Sequence, residues 1–345
     1  MSTETPENPS ALAKYVQLAK RLIPWVKLAI VVAIIAWVFR ELYRTWDKLS
    51  EHQWEFHVGW LVLAGIFYLV AYFPAAIFWR HLLHLMGQQT DLVPALRAYY
   101  ISQLGKYTPG KAMVIIMRTE MIRGKNVRAS CAVAAVFFET FAMMSVGALL
   151  AAGITFCRFQ DHPRYWSFLS LNVLMLALSV LPTIPILFRF VAKKLGVGKG
   201  DPEIDANMKK FRFGTVLYGW FIMGIGWLFF GLCLWCTILG LGLQPESIYE
   251  LPKYTAISAM SIVLGFVLML PGGLGAREWV LIQFLGPMFA ASLLAAGNEV
   301  VLAESFAIAG AGANRAVSIL AELAIAAVMV WLPKESKIPS PGEKS

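Results

Sequence analysis

The chain has 345 residues, 58% of them hydrophobic and 15% charged, with a mean hydropathy of +0.64. Soluble domains carry about a quarter charged residues, so this balance excludes an ordinary soluble enzyme, a disordered chain and a collagen-like or disulfide-scaffold protein. The 30 Lys+Arg against 21 Asp+Glu give a formal +9, which must first be tested as a membrane-topology signal, because cytoplasmic loops collect cations.

A bilayer core of ~30 Å takes ~20 apolar helical residues. In chain order, a polar tail (1–21) precedes an apolar segment at 22–39, which lacks a small-residue cleavage site and reads as an uncleaved anchor. Further spans are predicted at 58–79, 129–156, 166–190, 213–241 and 300–332, the last interrupted at Gly310-Ala311-Gly312-Ala313-Asn314-Arg315. A short tail (333–345) follows.

Two apolar stretches do not read as ordinary spans. Residues 92–120 contain Gly105-Lys106-Tyr107-Thr108-Pro109-Gly110-Lys111, and residues 255–296 contain Pro271-Gly272-Gly273-Leu274-Gly275-Ala276-Arg277-Glu278. Proline removes an amide donor and glycine relaxes the backbone, so both helices should break there. Such a break survives at membrane depth only where protein buries it or it lines a wet cavity. Each stretch is a re-entrant hairpin or a pair of true spans. With the first hairpin entered from inside and the second from outside, inside segments hold 20 Lys/Arg and outside segments seven, with nine acids on each side. That bias, which includes charges at the loop tips, favours cytoplasmic N- and C-termini and makes nucleic acid unnecessary as a partner.

The order is then span, span, hairpin, span, twice over and with opposite orientation. The predicted fold is an all-α polytopic membrane protein of about eight helical segments, six spans and two broken hairpins, in a 4+4 inverted-topology repeat (22–156 and 157–332). In such repeats the binding site lies near the midplane, at the broken helices.

Thr108-Pro109 reads as an N-cap followed by proline at the first helical position, leaving unpaired amides and a positive helix end. Lys106 and Lys111 flank it, and Arg118 lies seven residues beyond Lys111. An anion such as a phosphate headgroup is the natural ligand, although cations at a loop also snorkel to headgroups. At the second break Pro271, Gly272, Gly273 and Gly275 permit close backbone approach, Arg277 opens the next half-helix, and Glu278 complements its dipole or pairs with Arg277. Within the spans, Glu139 and Arg315 are candidate gating or coupling groups, ahead of Glu304 and Glu322. Charges at this depth are costly and normally pair or serve a pathway.

The four cysteines lie in or beside apolar runs, and Cys233-Leu-Trp-Cys236 reads as packing inside an apolar helix. His81 and His84 lack a third ligand, so no metal or cofactor is expected. The Lys193–Arg212 loop is basic and suits anionic lipid at the cytoplasmic surface.

With these motifs in place, the chain resembles the lysylphosphatidylglycerol synthase transmembrane-region family, which includes the flippase portion of the bacterial multiple peptide resistance factor. Leu104–Lys111 with Arg118, and Leu270–Glu278, carry the resemblance, which spans roughly residues 20–332. In that family the span after the first motif often carries Glu-Arg and then Asp. Here Glu139 is kept while Thr140 and Met143 take the other positions, so no ion pair or relay built from that trio is implied. Thirteen residues follow Leu332, and no soluble aminoacyl-transfer domain is expected. The resemblance implies lipid handling in a bacterial inner membrane without lysyl transfer.

The resulting expectation is a flippase-like lipid translocase whose partners are the bilayer and an anionic phospholipid or lipid-linked phosphate. A membrane-embedded transferase acting on a lipid-linked substrate, or a non-transporting adaptor, are the alternatives.

Overall fold

A computed structural model describes residues 55–108, 112–124, 127–194, 196–197, 199, 202–208, 211–245, 247–295 and 302–331. The anchor predicted at 22–39, both tails, and Pro109, Gly110 and Lys111 lie outside the described residues. Regular structure among the described residues is helical, apart from one isolated bridge between Gly124 and Val127.

The long helices are α1 (Val58–Leu85), α4 (Ala129–Arg158), α8 (Phe213–Gly240) and α11 (Ala303–Trp331). The first broken stretch forms α2 (Leu92–Ser102), a tight turn over Gln103–Tyr107, and α3 (Ala112–Ile122). The second forms α9 (Leu251–Val267), a tight turn over Pro271–Gly273, and α10 (Ala276–Ala295). Between α4 and α8 lie α5 (Tyr165–Val180), α6 (Pro185–Lys194) and α7 (Pro202–Met208). Among the described residues, five segments are long and apolar enough to cross a membrane: α1, α4, α8, α11, and α5 with its terminal turn to Thr183.

Two sequence expectations are corrected. The span predicted at 166–190 is not continuous: α5 ends at Val180, a turn covers Leu181–Thr183, and α6 starts at Pro185. Pro182 and Pro185 have no amide hydrogen to continue the ladder, and proline suits the start of the next helix. Conversely, α11 runs unbroken through Gly310–Arg315. Glycine and alanine keep every amide donor, so they do not break the ladder as proline does.

Helices α1 and α8 pack antiparallel along their length. Gly219, Gly226 and Gly240 of α8 face Phe78, Ala71 and Leu61 in turn. Around this pair, α11 packs on α1, α4 on α8, α9 on α4 and α8, α10 on α11, and α2 on α11. Val62, Ile66, Val70 and Phe73 of α1, Leu217, Phe221, Ile225 and Leu228 of α8, and Leu320 and Leu323 of α11 are exposed, an apolar girdle suited to lipid tails.

A Cβ on Gly226 would stand 2.6 Å from the Ala71 carbonyl oxygen, so Gly226→Ala must push two backbones apart. The expected cost is about 1–3 kcal/mol. Gly224, with nothing within 4 Å of its added Cβ, is the control. Thermal unfolding in detergent should lower the midpoint for Gly226→Ala and not for Gly224→Ala.

A polar clamp joins the α4–α5 loop to α10. The His162 Nδ1 accepts from the Arg164 amide at 3.1 Å, which leaves Nε2–H to donate to the Gln283 carbonyl at 3.1 Å. Arg164 adds a bond to the Gln283 side chain at 2.8 Å. Partial burial lowers the imidazole's pKa; the Gln283 carbonyl pulls it upward and the Arg164 charge lowers it further. Because the folded value is depressed, the contribution to stability is complete above the ordinary value of about 6.5 and is lost as pH falls through the folded value. Protection of the amides over residues 159–164, relative to their intrinsic exchange rates, should therefore fall as the pH drops from about 7 to 5, and His162→Gln should remove that fall. Equal protection across the range would contradict the clamp.

Candidate functional site

The two breaks meet in the middle of the bundle. The Tyr107 ring covers Gly272, where an added Cβ would stand 2.8 Å from the ring and 2.7 Å from an Arg315 nitrogen. Gly272 has φ of 58°, a conformation that side chains rarely adopt, and the two close contacts leave no room for one. Met269 shares this left-handed backbone at φ of 52°, as do Gly273 and Gly275 at 73° and 81°. The second break is thus a strained loop held by its neighbours.

Arg315, near the middle of α11, donates from Nη1 to the Gly272 carbonyl at 2.8 Å, and its guanidinium lies 5.5 Å from the Tyr107 ring centre. Its Nε is 3.7 Å from Glu278, while Nε and Nη2 make no hydrogen bond to described residues. Glu278 accepts from the Gly275 amide at 2.6 Å. With Gly275 just before α10 and Glu278 three residues later, this is the reciprocal half of a capping box. Glu278 therefore fixes the start of α10, and its charge partner is Arg315.

Arg277 is 8% exposed, its stem lying over Gly273 and Gly265. Tyr68, Tyr72, Glu278 and Glu322 are near enough to act on its charge, yet its guanidinium has no hydrogen bond or ion pair with any described residue. Desolvation of this guanidinium is offset by Glu278 and Glu322 at longer range rather than by a direct hydrogen bond.

Lys106, from the first break, is tied to Glu322 of α11 and to the Tyr68 hydroxyl at 3.1 Å. Its ammonium lies 5.8, 5.7 and 5.4 Å from the ring centres of Tyr68, Tyr72 and Tyr107. The Glu322 carboxylate also accepts from Tyr68 and, at 2.8 Å, from Tyr107. The Thr108 hydroxyl donates back to the Gly105 carbonyl at 2.7 Å, closing the turn that presents Lys106 and Tyr107.

Arg118 and Glu139 form a separate cluster. Both are 2% exposed, and Arg118 Nη1 donates to Glu139 at 2.8 Å. Arg118 Nε donates to the Ser102 hydroxyl at 2.9 Å, and the Tyr99 hydroxyl donates to Glu139 at 2.8 Å. The guanidinium stacks 3.9 Å over the Tyr99 ring, a cation–π contact strengthened by the burial of both groups. The pair ties α3 to α4 and, through Tyr99 and Ser102, to α2. Thr140 reaches Glu139 only at 3.4 Å and Met143 bears no charge, so Arg118 supplies the ion partner that those positions lack.

The structure thus brings together Lys106, Pro271–Gly273, Gly275, Arg277, Glu278 and Arg315, and sets Arg118 and Glu139 apart. Glu322, ranked low from sequence, stands at the centre. Tyr68, Tyr72 and Tyr107 were not singled out at all. The available signal was Tyr68 and Tyr72, two hydroxyls one helical turn apart within an otherwise apolar span.

Among curated proteins, none matches this chain. The helix supplying Arg315 and Glu322 lies beyond the residues that a family model matches. That model, described as the lysylphosphatidylglycerol synthase TM region, matches residues 25–298, and the chain belongs to that family of integral membrane proteins.

Proposed function

We propose that the chain is a lipid translocase whose facing breaks bind the phosphate of an anionic amphiphile and expose it to either leaflet in turn. The observation that carries this reading is Arg277: a buried cation with no hydrogen bond to any described residue, its stem against Gly273, while Arg315 against Gly272 has two nitrogens that make no hydrogen bond. Arginine's planar fork suits phosphate oxygens. Lys106 adds charge from the opposite break, and Lys111, Pro109 and Gly110 follow it in sequence.

The packing supports a two-fold inverted arrangement of the segments at 58–158 and 165–331. Helices α1 and α8 hold equivalent places and cross antiparallel, α11 lies on α1 as α4 lies on α8, and the two breaks touch across the centre. Rocking of one half against the other about Gly272 and Tyr107 would alternate access to the site. Arg118 and Glu139 hold the first hairpin rigid during that motion. The charge asymmetry of the loops favours cytoplasmic termini in a bacterial inner membrane.

Purified protein in vesicles carrying a fluorescent phosphatidylglycerol tests this. Redistribution between leaflets faster than in protein-free vesicles is the expected result. Equal rates overturn the reading, and conversion of the labelled lipid to a new product would replace it with a transferase.

A further inference from the structure

The site holds an anion of its own. We propose that Glu322 is a built-in competitor, a carboxylate that occupies part of the headgroup site and is displaced from Lys106 and Tyr107 when a phosphodiester enters. The inference rests on the reading that the facing breaks bind an anionic headgroup, and it adds how that site is kept closed without one.

Glu322 takes the donors a phosphate would need. Its carboxylate receives Lys106 and the hydroxyls of Tyr68 and Tyr107, which come from two different elements, α1 and the first break. A carboxylate and a phosphodiester accept from the same hydroxyl, ammonium and guanidinium donors, so either can satisfy this set. The neighbouring cations are left under-used: Arg277 is unpaired among the described residues, and Arg315 has two nitrogens without a bond. Glu322 bonds the Lys106–Tyr107 side and acts on Arg277 only at longer range, so the Arg277–Arg315 side has no hydrogen bond from it. An entering phosphodiester can engage that side first and then take Lys106 and Tyr107 from Glu322. That exchange also cuts the ties of α11 to α1 and to the first break, so ligand binding would loosen contacts between the two halves. A purely structural ion pair would behave oppositely: its removal would weaken the fold and give no gain in binding.

The test is binding of short-chain dihexanoyl phosphatidylglycerol to the purified full chain in uncharged detergent, with inorganic phosphate in parallel. Glu322→Gln, which removes the competing charge, should bind at least about tenfold more tightly than the native chain. Glu322→Asp, which keeps the charge and shortens its reach to Lys106 and Tyr107, should gain less, and it covers the case in which Glu322→Gln unfolds. Arg277→Gln should lose binding. Tightening for the short-chain lipid but not for phosphate assigns the site to a headgroup with its glycerol, and tightening for both assigns it to the bare anion. Unchanged or weaker binding in both Glu322→Gln and Glu322→Asp, with Arg277→Gln still abolishing it, overturns the competitor and leaves the headgroup site standing. Binding that is indifferent to Arg277→Gln, or absent from every variant, overturns the headgroup site itself.

Discussion

Replacing Glu139 with alanine should destabilise the protein by about 3–5 kcal/mol, the largest single-residue effect expected on stability. The carboxylate is buried against Arg118 at 2.8 Å and accepts the Tyr99 hydroxyl as well. Its loss leaves a guanidinium uncompensated in the protein interior. Arg118→Ala should cost a similar amount for the mirror-image reason. The double variant Arg118→Leu/Glu139→Leu should recover much of either loss, because removing both charges removes the desolvation penalty together with the attraction. Thermal unfolding midpoints of the four proteins in one detergent measure the cycle directly. Additive losses in the double variant would show that the two side chains act independently, against the geometry.

Arg277 is expected to behave in the opposite way. Arg277→Gln should lower lipid redistribution at least about tenfold, since a charge-assisted bond to phosphate is lost from a site shielded from water. Its thermal stability should stay level or rise, because a buried cation without a partner costs free energy that glutamine does not. Arg277→Lys should keep the charge and lose the two-pronged geometry, giving an intermediate rate. A fall in stability as large as that of Arg118→Ala would mean that Arg277 is an ordinary structural cation and would count against its assignment to a ligand.

Much of the architecture was legible from the chain because hydrocarbon demands it. Long apolar runs at 58, 129 and 213 became α1, α4 and α8 with starts within a residue of expectation, and Pro-Gly clusters marked both breaks. The failures have local causes. Pro182 and Pro185 split a run whose mean hydropathy hid them, and the small residues of α11 were taken for an interruption although none lacks an amide donor. The arms of the second broken stretch have 17 and 20 residues, or ~25 and ~30 Å of helix, whereas those of the first have 11 residues each, or ~16 Å.

The site was legible in part. Cations at the breaks could be named because each sits in a motif that proline and glycine delimit. Their partners could not, since Lys106 to Glu322 and Arg118 to Glu139 are separated by 216 and 21 residues. Arg118 lies against Tyr99 and Glu139, contacts that its seven-residue spacing from Lys111 does not reveal. The spacing of Gly219, Gly226 and Gly240 along α8 was equally visible, but its meaning depended on knowing that α1 lies against it.

The central claim is that a lipid phosphate sits where the two breaks meet. A high-resolution density map of the protein in nanodiscs containing phosphatidylglycerol tests it most directly. The account predicts phosphate density within hydrogen-bonding distance of Arg277 and Arg315, next to Gly272. A map with lipid phosphates confined to the headgroup layers, and Arg277 bonded to protein, would contradict it.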